Sequence, residues 1–417
     1  MFKPLSLMLD RIVRTGNLTF IDSQGSSNRF GDGSGSPVLI RLKDRKLERE
    51  LVLDPELASG EAYMQGRLVV EEGSLYDFIA LMMANLADSP FPAWSQSLAA
   101  ARRFVRRLKQ FNPIGRARHN AAHHYDIDPR IYDLFLDPDR QYSCAYFTRE
   151  GGLAHAQLAK KRHIAAKLLL EPGQRVLDIG SGWGGLALYL AKIAGADVTG
   201  ITLSEEQLKS SRARAAELGL AQAVRFQLAD YREIGGQFDR IVSIGMFEHV
   251  GLPHYATFFR TLNGLLAGDG VALLHTIGRS DRPGATNPFI AKHIFPGGYL
   301  PALSEVMAAI EKSGFIATDI EVLRLHYAET LKAWRERFLE NRARAADIAG
   351  EEFCRMWEFY LAGCEAAFRY QNLVVFQIQL TKRIGTLPIT RDYMLEAERR
   401  LAAREAGARE ASPLAAE

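Results

Sequence analysis

Cysteine is scarce in this sequence, with only Cys144, Cys354 and Cys364 in 417 residues. An odd number without metal-type spacing argues against a disulfide framework and against a zinc site. Long apolar runs are also missing, since the most apolar stretch, residues 78–86, is far shorter than the roughly 18 residues of a spanning helix. The N-terminus has no small-residue cleavage site. We therefore expect no metal, no membrane span, no export signal and a cytoplasmic location.

Net charge is also small, because 52 Lys and Arg against 49 Asp and Glu leave +3. This balance excludes a general affinity for nucleic acid, and any affinity for an anionic surface must come from a local patch. Residues 91–125 form such a patch, with seven basic residues and no acidic one. Pro113 and Gly115 interrupt it, which predicts a helix-containing linker between two domains.

Strand and helix patterns alternate from about residue 168 onward. Short apolar runs such as RVLDI, DVTGIT and DRIVSIG are separated by amphipathic segments such as SEEQLKSSRARAAELG. This alternation predicts an α/β fold, a doubly wound parallel sheet covered on both faces, with its binding crevice at the carboxyl ends of the strands.

Four regions are predicted along the chain. Residues 1–95 form a small α+β domain, 96–118 a basic linker, 119–395 the catalytic domain and 396–417 a C-terminal tail. From Tyr393 the sequence is rich in Ala, Arg and Glu, which predicts a helix that frays into disorder.

A glycine motif follows the first strand of the predicted sheet. Gly180, Gly182 and Gly185 spell G-x-G-x-x-G, a pattern that lets the backbone approach a ligand at a helix N-terminus. Asp178 precedes them, and no acid stands about 20 residues later to bind the ribose of a dinucleotide. The D-x-G-x-G form is typical of S-adenosylmethionine-dependent methyltransferases. Asp230, after the third strand, either accepts a hydrogen bond from adenine or caps the following turn.

Several further blocks of sequence converge on one family. They resemble the cyclopropane fatty acid synthase family, which includes the mycolic acid cyclopropane synthases, over residues 120–390. The resemblance implies a Rossmann-like methyltransferase sheet and a lipid-binding-like N-terminal domain. The blocks are HHYDI at 123–127, FLDPDRQYSCAYF at 135–147, ITLSEEQ at 201–207, GMFEHVG at 245–251, HTIG at 275–278 and FPGGYLP at 295–301.

The resemblance also implies an activity. S-adenosylmethionine donates a methyl group to the cis double bond of an unsaturated acyl chain in a membrane phospholipid, and loss of a proton closes a cyclopropane ring. Bicarbonate is the implied base, held by Cys144, Glu248, His275, Ile277 and Tyr327. The implied cosubstrate contacts are Tyr125, Tyr142, Ser143, Asp178, Gly180, Gly182, Thr202, Leu203, Gln207, Asp230 and Tyr231.

Partners follow from the same resemblance. We expect a peripheral enzyme on the inner face of the cytoplasmic membrane, a homodimer, and no nucleic-acid partner. The basic residues of 91–118 are interleaved with Phe104, Leu108 and Phe111, which favours contact with an anionic surface. The alternative is a linker that pairs with acids of a neighbouring domain.

The chemistry places demands on the site. A carbocation formed from an alkene must be kept from water, and aromatic faces can stabilise it without reacting. Candidate walls, each with ordinary core as the alternative, are Tyr142, Tyr146, Phe147, Tyr327 and Phe247. Glu248 beside an anion is consistent with this chemistry if it orients His275 or shares a proton with the ion. No covalent step is needed, so we expect Cys144 not to be a nucleophile.

One loop departs from the family pattern. Residues 127–130 read Ile-Asp-Pro-Arg where a Gly-Asn-Asp type sequence is usual. This departure leaves open the lid over the cosubstrate and one wall of the acyl pocket. It also leaves room for a different lipid substrate or a methyl-branched product. Two further alternatives do not depend on this loop: a methyltransferase that acts on a soluble metabolite, and a non-catalytic lipid carrier.

Overall fold

The computed structural model describes residues 1–88, 110, 127–149 and 151–410. Apart from Gln110, the predicted basic linker lies outside the described residues, as does Tyr125. No helix in the part of the chain that is described has the length and apolar character needed to cross a membrane.

A four-stranded sheet and four helices make up the N-terminal unit. The strand order is β2-β1-β3-β4, with β1 parallel to β3 and the other pairs antiparallel. Alternate residues of β3 are buried against the helices, as expected for a sheet with one solvated face. The elements are α1 Lys3–Ile12, β1 Asn17–Ile21, β2 Ser27–Phe30, β3 Pro37–Leu42, α2 Arg45–Leu53, α3 Pro55–Met64, β4 Leu68–Glu72 and α4 Leu75–Asp88.

The second sheet has seven strands in the order β10-β11-β9-β8-β5-β6-β7. Its central strands are buried on both faces, which explains their continuous apolar sequences. The strands are β5 Arg175–Ile179, β6 Asp197–Thr202, β7 Val224–Leu228, β8 Phe238–Ile244, β9 Leu266–Arg279, β10 Ile316–Leu323 and β11 Leu373–Thr381.

The predicted parallel sheet is a mixed sheet, because β11 runs antiparallel to both β10 and β9. The apolar run of β11 marks it as a buried strand, but the same run fits either direction. The helices that precede β11 bring the chain back to the sheet at the carboxyl ends of the parallel strands. Because β11 starts at that edge, it must run in the opposite direction. The prediction of a doubly wound α/β sheet is otherwise confirmed.

Helices cover both faces of this sheet. One face packs against α6, α7 and α14, and the other packs against α9 and α10. The described helices are α5 Pro129–Asp133, α6 Leu153–Lys167, α7 Gly185–Ala194, α8 Glu205–Glu217, α9 Tyr255–Leu265, α10 Leu303–Ile310, α11 His326–Glu340, α12 Arg342–Ala349, α13 Glu351–Tyr370 and α14 Asp392–Glu410. Short 3₁₀ turns span Tyr231–Glu233, Phe247–His249 and Leu252–His254, and a π-helical turn spans Ile290–Ile294.

The C-terminal segment forms the helix that the sequence predicts from Tyr393. This helix, α14, begins at Asp392 and is continuous to Glu410. Ala397 and Leu401 are buried in the core under α6 and α7. Glu405 accepts hydrogen bonds from the Tyr189 hydroxyl at 2.6 Å and from Arg162 Nε at 3.0 Å. An Ala-rich helix that buries one face gains tertiary stability that its composition alone does not reveal.

The loop that departs from the family pattern forms the start of α5. Asp128 is its N-cap and accepts a hydrogen bond from the Arg130 N–H at 2.9 Å, while Pro129 occupies the first turn. Proline suits that position because its missing N–H would have no helical partner. The capped turn buries Tyr132, whose ring lies 5.5 Å from that of Tyr142.

Helix α13 joins the two units. Ala362 and Ala366 are buried in the core of the N-terminal unit. One turn earlier on the same helix, Glu358 accepts a hydrogen bond from the Tyr63 hydroxyl of α3 at 2.6 Å. Between them, Tyr360 reaches the catalytic side, where its hydroxyl lies 3.0 Å from that of Tyr142. A single helix therefore contacts both the N-terminal unit and the wall of the pocket described next.

Candidate active site

A pocket opens at the carboxyl ends of β5, β6, β7 and β8. This is the crevice predicted from the strand pattern. Every cosubstrate candidate among the described residues lines it, and only Tyr125 lies outside the described part. The lining candidates are Tyr142, Ser143, Asp178, Gly180, Gly182, Thr202, Leu203, Gln207, Asp230 and Tyr231.

The three motif glycines have different roles. Gly180 and Gly182 have φ of 83° and 54°, in the left-handed region that favours glycine. A Cβ on Gly182 would have open space around it on the pocket wall, so this glycine leaves room for a ligand. A Cβ on Gly185 would lie 2.3 Å from Gln141 Nε2. The third glycine therefore permits close packing of the chain and does not line the pocket.

The end of β6 positions two polar side chains. The Thr202 hydroxyl donates to Gln207 Oε1 at 2.8 Å. Ser204 is the N-cap of α8, and its hydroxyl oxygen accepts a hydrogen bond from the Gln207 N–H at 3.3 Å. These contacts hold polar side chains in the pocket wall at the end of β6. A dinucleotide-binding protein would carry an acidic residue at this position.

Asp230 makes the capping contact that the sequence offered as one of two alternatives. Its carboxylate accepts hydrogen bonds from the Arg232 N–H at 3.0 Å and from Arg232 Nε at 2.7 Å. The capping interaction is therefore present. Asp230 also lines the pocket and is only 2% exposed, so the ligand-binding role stays open as a prediction.

The residues of the pocket wall that sequence reasoning missed include Lys160 and His249. Burial lowers the pKa of His249 to about 4, so its imidazole is neutral. Lys160 lies on α6 and is 1% exposed, although lysines on amphipathic helices are ordinarily solvated. No local pattern distinguishes Lys160 from its neighbour Lys161.

Glu248 is held by a backbone group of a neighbouring strand. Its Oε1 accepts a hydrogen bond from the Ile277 N–H of β9 at 2.6 Å. Its Oε2 is buried and has no hydrogen-bond partner among the described residues. Burial raises the pKa of Glu248 to about 7, so the carboxyl can carry a proton near neutral pH.

His275 contacts Gln377, and no hydrogen bond joins it to Glu248 in the described structure, which favours the other alternative for Glu248, that it shares a proton with an ion. His275 Nδ1 lies 3.1 Å from Gln377 Nε2 on β11, and its Nε2 is buried without a partner in the described structure. Burial lowers the pKa of His275 to about 3, so the ring is neutral. The orienting residue comes from the reversed strand, which no motif near His275 could have indicated.

Cys144 and Tyr327 belong to one buried cluster, and Ile277 packs against it. The Cys144 thiol donates to the Ala145 carbonyl at 3.3 Å, and burial raises its pKa, so it stays protonated. The Ala145 N–H in turn donates to Thr330 Oγ1 at 3.0 Å, which ties this turn to α11, the helix that carries Tyr327. Cys144, Tyr327 and Ile277 therefore lie together, and Glu248 joins them through its hydrogen bond from the Ile277 N–H.

The aromatic candidates divide into two groups. The rings of Tyr142 and Tyr327 lie 5.2 and 5.8 Å from that of Trp334, in the cluster beside the pocket. Tyr146 is stacked between two histidines, while Phe147 packs at the edge of that cluster. Phe247 is fully buried in the core that α9 and α10 cover, which favours the ordinary-core alternative for this residue.

The family model described as mycolic acid cyclopropane synthetase matches residues 114–378. The chain belongs to this family. The cyclopropane-fatty-acyl-phospholipid synthase of Escherichia coli strain K12 is 37% identical over 351 residues, covering 84% of this chain and 89% of that protein. The tuberculostearic acid methyltransferase of Mycobacterium tuberculosis is 33% identical and covers 88% of each chain.

A solved relative shows the same domain with a cosubstrate product. The mycolic acid cyclopropane synthase CmaA1, complexed with SAH and CTAB, is 35% identical, with a TM-score of 0.61 over 65% of this chain and 99% of that one. This cyclopropane synthetase family member is therefore an S-adenosylmethionine-dependent methyltransferase, with S-adenosylmethionine as its cosubstrate.

Proposed function

We propose that the enzyme builds a cyclopropane ring across the cis double bond of unsaturated acyl chains in membrane phospholipids, with bicarbonate as the base. The observation that carries this proposal is a pair of buried, unpartnered polar atoms, Glu248 Oε2 and His275 Nε2. Glu248 hydrogen bonds the backbone of Ile277, two residues beyond His275 on β9. Groups buried in this way ordinarily have partners, so their lack of one favours a bound ion.

The donors present suit an anion of this kind. Because the Gln377 amide nitrogen donates to Nδ1 of His275, the ring proton lies on Nε2, which then has a hydrogen to give. A protonated Glu248 offers a second donor, which removes the conflict between two like charges. We propose that these two groups, with Tyr327, Cys144 and the backbone near Ile277, hold bicarbonate. When bound, bicarbonate would supply a weak base that takes a proton from the newly added methyl group.

The remaining residues align and exclude water. Tyr142 and Tyr360, joined through their hydroxyls at 3.0 Å, form with Trp334 an aromatic wall beside the cosubstrate pocket. Such a wall keeps the alkene in line with the methyl group and shields positive charge from water. Cys144 remains a thiol at neutral pH and is given no covalent role.

The membrane role and the dimer are part of the same proposal. An acyl double bond lies deep in a bilayer, so the crevice must face the membrane, at the inner face of the cytoplasmic membrane. The basic residues 91–118 and the N-terminal unit are proposed to provide the contact. The relative named cyclopropane-fatty-acyl-phospholipid synthase supports the substrate class.

The test uses the purified protein, S-adenosylmethionine and vesicles of a monounsaturated phospholipid. Mass analysis should show the gain of one CH₂ per modified chain. Fragmentation or NMR then distinguishes a cyclopropane ring from a methyl branch. This second measurement is needed because one of the relatives is named as a tuberculostearic acid methyltransferase and not as a cyclopropane synthase. If no lipid is modified and a soluble compound is methylated instead, the proposal that the substrate is a phospholipid acyl chain is wrong.

The bicarbonate step has its own test. In buffer freed of carbon dioxide the rate should fall, and added bicarbonate should restore it. A parallel sample given chloride at the same ionic strength controls for salt. Full activity without bicarbonate, and no gain on adding it, would return the base role to His275 or water.

A further inference from the structure

His163 of α6 lies between two carboxylates. The residue is 7% exposed, and its Nε2 is 2.7 Å from Glu321 Oε2 on β10. Its Nδ1 is hydrogen bonded to Glu398 Oε1 on α14. An ionised carboxylate can only accept a hydrogen bond, so both ring nitrogens must carry a proton for both contacts to form. This geometry requires the imidazolium form of His163.

The charges around this ring are balanced. Lys167 of the same helix pairs with Glu321 and lies 3.7 Å from Asp319, which in turn pairs with Arg391 at the start of α14. The cluster therefore contains three basic side chains and three carboxylates, which are His163, Lys167, Arg391, Asp319, Glu321 and Glu398. A buried charge is tolerated when it is paired in this way.

The titration of the cluster agrees with its geometry. Burial by itself would lower the pKa of His163, but the hydrogen bonds to Glu321 and Glu398 outweigh burial and raise the pKa above its ordinary value of 6.5. Burial raises the pKa of Glu321, but its contacts with His163 and Lys167 outweigh burial and lower the pKa to about 2. The neighbouring Arg162 is paired with Glu405.

One face of the His163 ring stacks on the ring of Tyr146, with the centroids 4.2 Å apart and the planes 17° from parallel. The opposite face of Tyr146 stacks on His326 at 4.8 Å and 9°. His326 Nδ1 accepts a hydrogen bond from the Phe147 N–H at 2.9 Å, and burial lowers the pKa of His326, so this second imidazole is neutral. Tyr146 therefore lies between one charged ring and one neutral ring, and a cation over an aromatic face is favourable.

Tyr146 belongs to the turn that carries Cys144. The Tyr146 N–H donates to the Ala156 carbonyl of α6 at 3.1 Å, and the N–H groups of the residues on either side donate to Thr330 and His326 of α11. Tyr327, which follows His326, lies in one buried cluster with Cys144. The position of this turn between α6 and α11 therefore sets the position of the Cys144 thiol.

We infer that His163 is a positioning residue, which as an imidazolium bound to Glu321 and Glu398 holds the ring of Tyr146 and with it the turn that carries Cys144. The inference rests on the proposed function only for the place of Cys144 beside the reaction. Helix α14 begins at Asp392, beyond residue 378, where the match to the family model ends. Through Glu398, the C-terminal helix is thus connected to the reaction site.

The charge on His163 is tested by NMR titration of the histidine rings in the full-length protein. His163→Phe lacks the His163 signal and thereby assigns it. In the parent the pKa of His163 should lie above its ordinary value, and Glu398→Gln should lower it, because the neutral amide no longer stabilises the cation. The matched control is Glu396→Gln, an exposed residue of the same helix, which should leave the pKa of His163 unchanged.

The effect on the turn is tested by hydrogen exchange. Glu398→Gln and His163→Phe should each accelerate exchange of the amides of residues 145–147 by about 2- to 30-fold, a range typical of coupling between residues in one network. Exchange in the N-terminal unit should stay as in the parent. His163→Phe keeps a flat ring over Tyr146, so acceleration in this variant is caused by loss of the charge and of its hydrogen bonds.

The effect on the reaction is tested by kinetics. In both variants kcat for methyl transfer should fall about 2- to 30-fold, while KM for S-adenosylmethionine stays within about 2-fold. If the parent does not modify phospholipid vesicles, the proposed substrate is wrong, and kcat is then measured with the compound that is methylated. The titration and the exchange need no substrate, so failure of the proposed function and failure of this inference are distinguished.

Three outcomes would overturn the inference. The first is a pKa of His163 below its ordinary value, or equal in the parent and in Glu398→Gln, since the ring would then not be held as an imidazolium by Glu398. The second is exchange of residues 145–147 and kcat equal to those of Glu396→Gln, which would mean that the charge does not hold the turn. The third is equal acceleration of exchange throughout the chain, which would reduce the role of His163 to general stability.

Discussion

The Glu248 carboxyl accepts a hydrogen bond from the Ile277 N–H at 2.6 Å, while its second oxygen is buried without a partner in the described structure. One oxygen is thus held by the sheet, and we propose that the other contacts the bound anion. Gln in place of Glu can still accept the Ile277 hydrogen bond but cannot donate or lose a carboxyl proton.

Glu248→Gln should reduce the rate of methyl transfer about 100-fold or more, in the range typical of proton-transferring groups, with little change in cosubstrate affinity. In the parent protein, activity should fall as pH rises through about 7, because ionised Glu248 would repel the anion beside it. The variant should lack this step. The test is to measure the rates of the parent and the variant from pH 5.5 to 8.5. If Glu248→Gln has the same pH profile as the parent, the loss of activity near pH 7 is due to the titration of another group.

The same substitution should affect stability in a pH-dependent way. The pKa of Glu248 is raised in the folded state to about 7 from an ordinary value of 4.5, so the folded protein binds the proton more tightly. This contribution is complete below the unfolded value and is lost as pH rises through about 7. Glu248→Gln should therefore gain Tm relative to the parent between pH 5 and pH 8. A difference in Tm that stays constant across this range would contradict the raised pKa.

Gly182→Asn should weaken S-adenosylhomocysteine binding at least about 10-fold without unfolding the protein, because Asn tolerates a positive φ and its side chain would occupy the pocket. The matched control is Gly219→Asn. Gly219 has a φ of 67°, also has open space at its Cβ, and does not line the pocket. Calorimetry should show a loss for the first variant alone. Equal affinity in both variants would mean that the ligand does not approach Gly182.

The basic segment is tested by replacing Arg102, Arg103, Arg106 and Arg107 with Gln. Each basic group near an anionic surface contributes about 1 kcal/mol, so this variant should lose binding to anionic vesicles while keeping cosubstrate affinity. A control with the same charge change uses four arginines that are exposed in the structure, Arg324, Arg344, Arg399 and Arg400, each changed to Gln. Sedimentation of both variants with vesicles to the same extent, at low and moderate salt, would exclude the segment as an anchor.

Leu401→Ala should destabilise the protein by about 2–5 kcal/mol, as expected for a buried leucine, because Leu401 fills the core under α14. Leu395 on the same helix is 56% exposed, and Leu395→Ala should change stability by less than about 0.5 kcal/mol. Denaturant unfolding followed by circular dichroism measures both. If both substitutions change the free energy of unfolding by the same small amount, α14 does not contribute a buried face to the core.

Features that depend on neighbouring residues could be predicted from the sequence. Asp178 lies near the end of β5, and Gly180 and Gly182 follow in the next turn, so their spacing predicts a ligand site at the end of that strand. The alternation of strands and helices predicts the crevice, because carboxyl ends of parallel strands meet at one edge.

Only the tertiary structure decided the features that join distant segments. An apolar run does not encode the direction of β11, and that direction places Gln377 beside His275, 102 positions away in sequence. Tertiary contacts likewise pair Lys161 with Asp139 while Lys160 donates to the neutral Gln141 and Ser143, because helix patterns do not show which neighbour meets which side chain. They also bury Phe247 in the core that α9 and α10 cover. Long-range pairing and desolvation set these charges and orientations, and neither is a local property of the chain.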